Sequence, residues 1–256
     1  MSLLTHTIAA RFPVAGVSGL VTTRRGGTSV GPWGALDGTG GLNLGLASGD
    51  ERGAVLANRA RLGELLPQHA KWLRQVHGAT VVEAESVDEL VDADASTSIT
   101  PGAVCAVLIA DCMPVLIASA DGRGVGAAHA GWRGLAGGVI QNMVRALRDR
   151  LHQRSAKVFA YLGPAIGPAH FEVGPEVLDA MRAQLPEASA AFVDIGNGKY
   201  RADLFQLGKQ ALDQVGVTII GGGMDCTFSD PARFFSYRRD RVTGRHAALI
   251  WINPQR

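Results

Sequence analysis

Three side chains able to bind metal stand where apolar residues would be expected. Cys112 lies at a bend between two hydrophobic runs, His129 follows the run 125–128, and His77 sits at a bend after Gln75-Val76. All three fall at strand ends, where side chains from separate segments can converge on one pocket. Two histidines and one cysteine leave one position of a tetrahedral zinc open, the arrangement of a catalytic site rather than a structural one. An open position lets zinc lower the pKa of bound water towards about 7. The spacings, 35 and 17 residues, fit no zinc-finger rule, and cysteine is also among the residues most often buried as plain core. Asp111, between Leu-Ile-Ala and Met-Pro-Val, is in apolar surroundings where an unpaired charge is expensive. It can meet a cation, bind turn amides, or act as general acid/base beside a zinc-bound water.

Other polar residues suggest a ligand. His129-Ala130-Gly131-Trp132-Arg133-Gly134 leads into a helix, and free N–H groups at a helix start favour an anion. Arg133 could add a bidentate contact to phosphate or carboxylate. Arg24, Arg25, Arg238 and Arg239 sit beside glycines or turns, the last two next to Phe234, Phe235 and Tyr237. Those aromatics could stack on a flat ring, although Phe234 reads better as core. Cys105 reads as core of a strand, and Cys226, after three glycines, as structural.

The elements that must position these groups follow from periodicity and punctuation. The glycine-rich stretch 22–45 reads as a long surface loop that could serve as a lid. Asp50 is expected to cap a helix reaching about Leu66, with Pro67 as its stop. Segments 104–110 and 114–119 read as buried strands joined by a turn, and 125–128 as another. Leu135, Val139, Met143, Leu147 and Leu151 recur every four residues and predict one helix. A strand at 157–162, a helix with Pro175 at its first position, a helix over 203–215, and strands at 217–220 and 247–252 complete the pattern. Strands and helices mix without regular alternation, which predicts an α+β fold of mixed sheets flanked by helices.

Composition narrows the function classes. The 256 residues carry 25 basic and 23 acidic side chains with no charge blocks, which argues against a nucleic-acid groove. The apolar run 103–120 is broken by Asp111 and Pro114, which excludes a bilayer span, and residues 1–19 lack the pattern of a signal peptide. Three cysteines are too few for a disulfide framework. These features predict a cytoplasmic protein with no membrane partner, and a monomer is the default. Glycine, at 33 residues, is about twice its usual share of roughly 7%.

Nine short motifs then occur in order: Thr22-Thr23-Arg24 with Gly26-Gly27, Leu42-Asn43-Leu44-Gly45, Gln75-Val76-His77-Gly78, Ala110-Asp111-Cys112-Met113-Pro114-Val115, His129 to Gly134, Leu162-Gly163-Pro164-Ala165-Ile166, Phe171-Glu172-Val173-Gly174, Cys226-Thr227 and Phe235-Ser236-Tyr237-Arg238-Arg239. Together they resemble the YfiH/laccase-domain family, long labelled polyphenol oxidase and later purine nucleoside phosphorylase. The resemblance runs from about Phe12 to Trp251. It implies a single catalytic domain over 1–256, an αββα-like sandwich, with zinc held at positions matching His77, Cys112 and His129. It further implies phosphorolysis of adenosine, inosine and S-methyl-5′-thioadenosine, with some adenosine deaminase activity. On that reading Asp111 is the proton carrier, Arg24 or Arg133 holds phosphate, and Asn43 and Gln75 hydrogen-bond the nucleoside. Cys112 and His129 are then catalytic as well as metal ligands.

Two other enzyme readings compete. The same donor set suits copper in a polyphenol oxidase (laccase), but that chemistry needs a histidine-rich copper cluster. The five remaining histidines, His6, His69, His152, His170 and His246, show no clustered spacing. The family pattern also resembles hydrolases, in which Cys112 as nucleophile and His129 as base, or zinc, would serve an amidase editing peptidoglycan precursors. A non-enzymatic protein with a structural metal clip would need a fourth ligand.

Overall fold

The computed structural model describes residues 3–254. Its strands and helices, in chain order, are β1 (Thr7–Ala9), β2 (Val17–Thr22), β3 (Arg25–Ser29), α1 (Arg52–Gly63), β4 (Ala70–Lys71), β5 (Val81–Glu83), β6 (Ala95–Ser98), β7 (Val104–Ile109), β8 (Met113–Ser119) and β9 (Val125–Ala130). Then come α2 (Trp132–Ala136), α3 (Val139–Arg150), β10 (Val158–Leu162), β11 (Glu172–Val173), α4 (Pro175–Gln184), β12 (Phe192–Gly196), β13 (Lys199–Ala202), α5 (Leu204–Asp213), β14 (Val217–Gly222), α6 (Tyr237–Asp240) and β15 (His246–Ile252).

Two large mixed sheets stack face to face, one ordered β1-β2-β15-β7-β4 and the other β14-β10-β8-β9-β6-β5. Alternation along each strand explains the layers. Cys105, Val107, Ile109, Ala248 and Ile250 face Leu116, Ala118, Val125 and Ala127 in the space between the sheets. The opposite face of the six-stranded sheet carries Met113, Val115, Ile117, Ala128 and Ala130 against Leu135, Met143, Met181 and Leu207 of helices α2 to α5. Val104, Ala106, Ala247 and Leu249 pack outward on Leu42, Leu44 and Leu62. The result is the expected α+β arrangement of sheets between helices. A third sheet, β11-β13-β12, is not evident from periodicity because its strands are short and β12 is largely exposed.

Several local expectations are revised. The glycine-rich stretch is not one free loop: it is packed at both ends, with 36–39 exposed at its tip. Asn58 donates from Nδ2 to the carbonyls of Gly41 and Asn43 and accepts from the Thr28 N–H, which pins the stretch to α1. A Cβ on Gly41 would lie 1.9 Å from the Trp33 carbonyl oxygen, so backbone closeness, not mobility, explains that glycine. Asp50 does not cap α1. Its carboxylate takes the Ser29 hydroxyl and the Asn43 amide, and Glu51 is the cap position without a side-chain bond. The predicted helix through Leu135 breaks in two, because Gly138 adopts φ +77 between α2 and α3. The other expected helices agree closely: α4 has Pro175 at its start, and Asp203 caps α5 through the N–H groups of Phe205 and Gln206.

Candidate metal centre

The bend at 110–112 is not a hairpin turn. β7 belongs to the five-stranded sheet and β8 to the six-stranded one, so the chain crosses between layers at Asp111. This residue has φ +101, a region that non-glycine residues rarely occupy. Three bonds hold it there. Its carboxylate accepts the Thr227 hydroxyl at 2.6 Å and the Arg238 N–H at 2.6 Å, and its carbonyl accepts the Ile166 N–H at 2.8 Å.

Cys112 emerges from this corner beside β9, where Pro114 pairs with His129. Side-chain alternation puts Cys112 and His129 on the same intersheet face, at its open end. Gly131 has to be small there, since a Cβ would lie 2.7 Å from the Cys112 sulfur and 3.6 Å from the His77 ring. His77 arrives from the β4–β5 connection with φ +60, and its ring meets that of His129 edge-on with centroids 4.9 Å apart. One donor atom from each of His77, Cys112 and His129 lies within 4.8 Å of the others. Donors on tetrahedral zinc stand roughly 3.5 Å apart, so the three groups must close in a little to hold one ion. Among the described residues this is the single such group, and it supplies three ligands.

Asp94, at the head of the buried strand β6, organises the cluster and was not foreseen. Its Oδ1 accepts the His129 Nδ1–H at 2.8 Å and the His77 N–H at 3.0 Å. Its Oδ2 accepts the Val76 and Gly78 N–H groups at 3.1 and 2.7 Å. One carboxylate therefore fixes the His129 tautomer, leaving Nε2 for a metal, and clamps the loop that presents His77. The signal in the sequence was faint. Asp92-Ala93-Asp94 precedes four small residues, and a carboxylate at the head of a buried strand needs donors, by the argument applied to Asp111.

The electrostatics follow from this packing. Burial alone would raise the Asp94 pKa, but the hydrogen bonds from His129 and Gly78 and the His129 charge hold it below the ordinary value. Burial likewise opposes ionisation of Cys112, yet the His129 charge and hydrogen bonds from both histidines bring its thiol down to about 6. Burial works against protonation of His129, and Cys112 together with Asp94 lifts it to about 9. The mutual attraction of Cys112 and His129 thus favours the thiolate over the thiol, the form that ligates a metal.

Most of the predicted substrate contacts are otherwise occupied. Arg24, only 3% exposed, donates from Nε and Nη2 to the Gly34 carbonyl and from Nη1 to that of Pro231. Asn43 accepts the Gly45 and Arg245 N–H groups and donates to Ser48 and Asp50. Gln75 pairs with both the N–H and the carbonyl of Leu108. Arg25, Arg238 and Arg239 are tied to backbone carbonyls. Arg133 is exposed and lies over the Trp132 ring at 4.3 Å, with no carbonyl to serve. The helix expected to favour an anion, α2, has only five residues, so its dipole offers little to one. Asp111 spends its carboxylate on Thr227 and Arg238 rather than on the metal ligands. Phe234 and Cys105 are core as read, and the Cys226 sulfur accepts the Gly167 N–H.

Residues 18–253 match the family model described as multi-copper polyphenol oxidoreductase laccase. A protein of Pseudomonas aeruginosa named purine nucleoside phosphorylase is 48% identical, over 93% of this chain and 94% of its own. The Escherichia coli purine nucleoside phosphorylase YfiH is 47% identical, over 93% and 94%. A Neisseria meningitidis protein of family DUF152 superposes with TM-score 0.88 at 44% identity, covering 97% of this chain and all of its own.

Proposed function

This chain belongs to the YfiH/laccase-domain family, and from that premise we propose that it is a zinc-dependent purine nucleoside phosphorylase acting as one catalytic domain on adenosine, inosine and S-methyl-5′-thioadenosine. The observation that carries the reading is the three-ligand His77–Cys112–His129 cluster in a chain whose relatives are named purine nucleoside phosphorylases. The donor set fits a zinc with one position left for water or substrate. Zinc bound there would polarise an oxygen and bring a water pKa towards about 7. That is also the chemistry of deamination, which we propose as a secondary activity on adenosine.

In phosphorolysis the C1′–N9 bond breaks with its electron pair going to the base, a phosphate oxygen bonds to C1′, and the base takes up the proton the phosphate gives up. The chain's residues do the holding. Asp94 keeps His129 in one tautomer, His77 stands at the exposed mouth, and Arg133 draws the anion towards it. Asp111 secures the Cys112 corner and the Arg238 segment. Copper oxidase chemistry is disfavoured because the described residues contain no second cluster of donors. A cysteine amidase is the second reading, favoured by the lowered pKa of Cys112 beside the raised pKa of His129.

The decisive experiment incubates zinc-loaded protein with adenosine, with and without inorganic phosphate, and identifies the products. Adenine formed only with phosphate supports the phosphorylase, and inosine in both arms supports the deaminase. Absence of both products, or cleavage indifferent to phosphate, refutes the phosphorylase.

A further inference from the structure

Arg245 lies just before β15, where His246 pairs with Ile109 of β7. The next pair along sets Arg245 across from Ala110, two residues from Cys112. Its backbone N–H is fixed by Asn43, and its side-chain stem packs against Gly45, where a Cβ would lie 2.7 Å from the Arg245 Cγ. The guanidinium sits over the Tyr237 ring at 5.8 Å, and Arg241 lies near the same ring at 6.0 Å. Tyr237 itself is 50% exposed and begins the α6 turn whose Arg238 N–H binds Asp111. This places Arg245 at the edge of the metal-ligand corner.

Its hydrogen bonding differs from that of Arg24 and Arg239, whose Nε and Nη2 are both committed to protein acceptors. Nη1 donates to the carbonyls of Thr243 and Gly244, which steadies the plane of the group. Nε and Nη2, the edge that grips an oxyanion in bidentate fashion, serve no protein acceptor. Neither is among the sealed polar atoms without partners, so this edge is not closed off from solvent. The charges acting on the half-buried group agree. Burial lowers its pKa, and Cys112, Asp111 and Tyr237 oppose that fall, so the metal-binding thiolate is an electrostatic neighbour. Arg24 has the burial but no free edge, and Arg133, exposed over the Trp132 ring, has no hydrogen bond to orient its guanidinium.

We infer that Arg245, steadied by Tyr237 and the 243–244 carbonyls, is the residue that grips inorganic phosphate beside the His77–Cys112–His129 cluster. This rests on the phosphorylase reading for its role in turnover, though not for binding itself. A planar fork that is already oriented loses little freedom on binding, which suits it to a small tetrahedral anion.

Calorimetric titration of the zinc-loaded protein with inorganic phosphate tests it, using wild type, Arg245→Met, Arg245→Lys and Arg133→Met. Arg245→Met should weaken phosphate on the order of 100-fold, the loss of charge-assisted bonds. Arg245→Lys, which keeps a donor for the 243–244 carbonyls and so protects folding, should weaken it on the order of 10-fold. In turnover both should raise the KM for phosphate more than they lower kcat. The inference is overturned if both Arg245 variants bind phosphate as wild type does, if Arg133→Met alone abolishes binding, or if wild type binds none. Failure of the phosphorylase reading looks different: wild type would bind phosphate through Arg245 while converting adenosine identically without it.

Discussion

Asp94→Asn is the sharpest perturbation of the centre. The Asp94 side chain has no exposed surface and receives four N–H donors, two on each oxygen. An asparagine offers one oxygen and one NH2. Whichever way it turns, the NH2 confronts two donors: Val76 and Gly78 in one orientation, His77 and His129 in the other. Two hydrogen bonds to a charged acceptor are lost, each worth about 1.5–3 kcal/mol, so destabilisation of about 3–6 kcal/mol is expected. For a chain of this size that lowers the melting temperature by roughly 10 °C. His129 also loses the acceptor that fixes its tautomer, so zinc affinity should fall about 10- to 100-fold. Chelator competition at pH 7.5, with melting curves of metal-free and zinc-loaded protein, measures both. Wild-type zinc affinity in Asp94→Asn would refute the positioning argument, even if the melting temperature dropped.

Further outcomes follow from the same geometry. In chelator-treated protein the Cys112 thiol, pulled to about 6 chiefly by His129 against the cost of burial, should alkylate with a midpoint near that pH, and zinc should block the reaction; a midpoint at the ordinary thiol value of about 8.5 would contradict it. His246 is fully buried, neither ring nitrogen has a hydrogen bond, and burial with the Arg245 and Arg24 charges lowers its pKa to about 3. Its folded form is neutral, so its contribution is intact above about 6.5 and is lost as pH falls towards 3, by about 1.4 kcal/mol per unit. Urea midpoints between pH 7 and 4.5 should accordingly fall less steeply in His246→Leu than in wild type. Gly41→Ala, with its Cβ 1.9 Å from a carbonyl oxygen, should cost on the order of 3 kcal/mol while sparing zinc affinity. Asp111→Asn can still accept the Arg238 N–H and meet the Thr227 hydroxyl, so turnover should stay within about 10-fold of wild type; a proton carrier would lose about 100-fold or more.

The amino-acid order alone determined a good deal. Apolar runs at period two and apolar faces near period four follow from burial along a single element, so the main strands, α4, α5 and the layered class could be read directly. Cys112, His129 and His77 stood out because their chemistry is foreign to the apolar runs around them. What the order could not settle was where each polar group spends its hydrogen bonds. Arg24, Asn43, Gln75 and Asp111 looked available for a ligand, yet each is satisfied by backbone or side chains 10 to 207 positions away, apart from the Asn43 contacts within a few residues. Asp94 looked ordinary and proved to hold both histidines. The crossing of the chain between two sheets at Asp111, which brings a thiol and two imidazoles together, is a property of sheet pairing. Pairing partners lie far apart in the chain, and no local pattern records which strand will be neighbour to which.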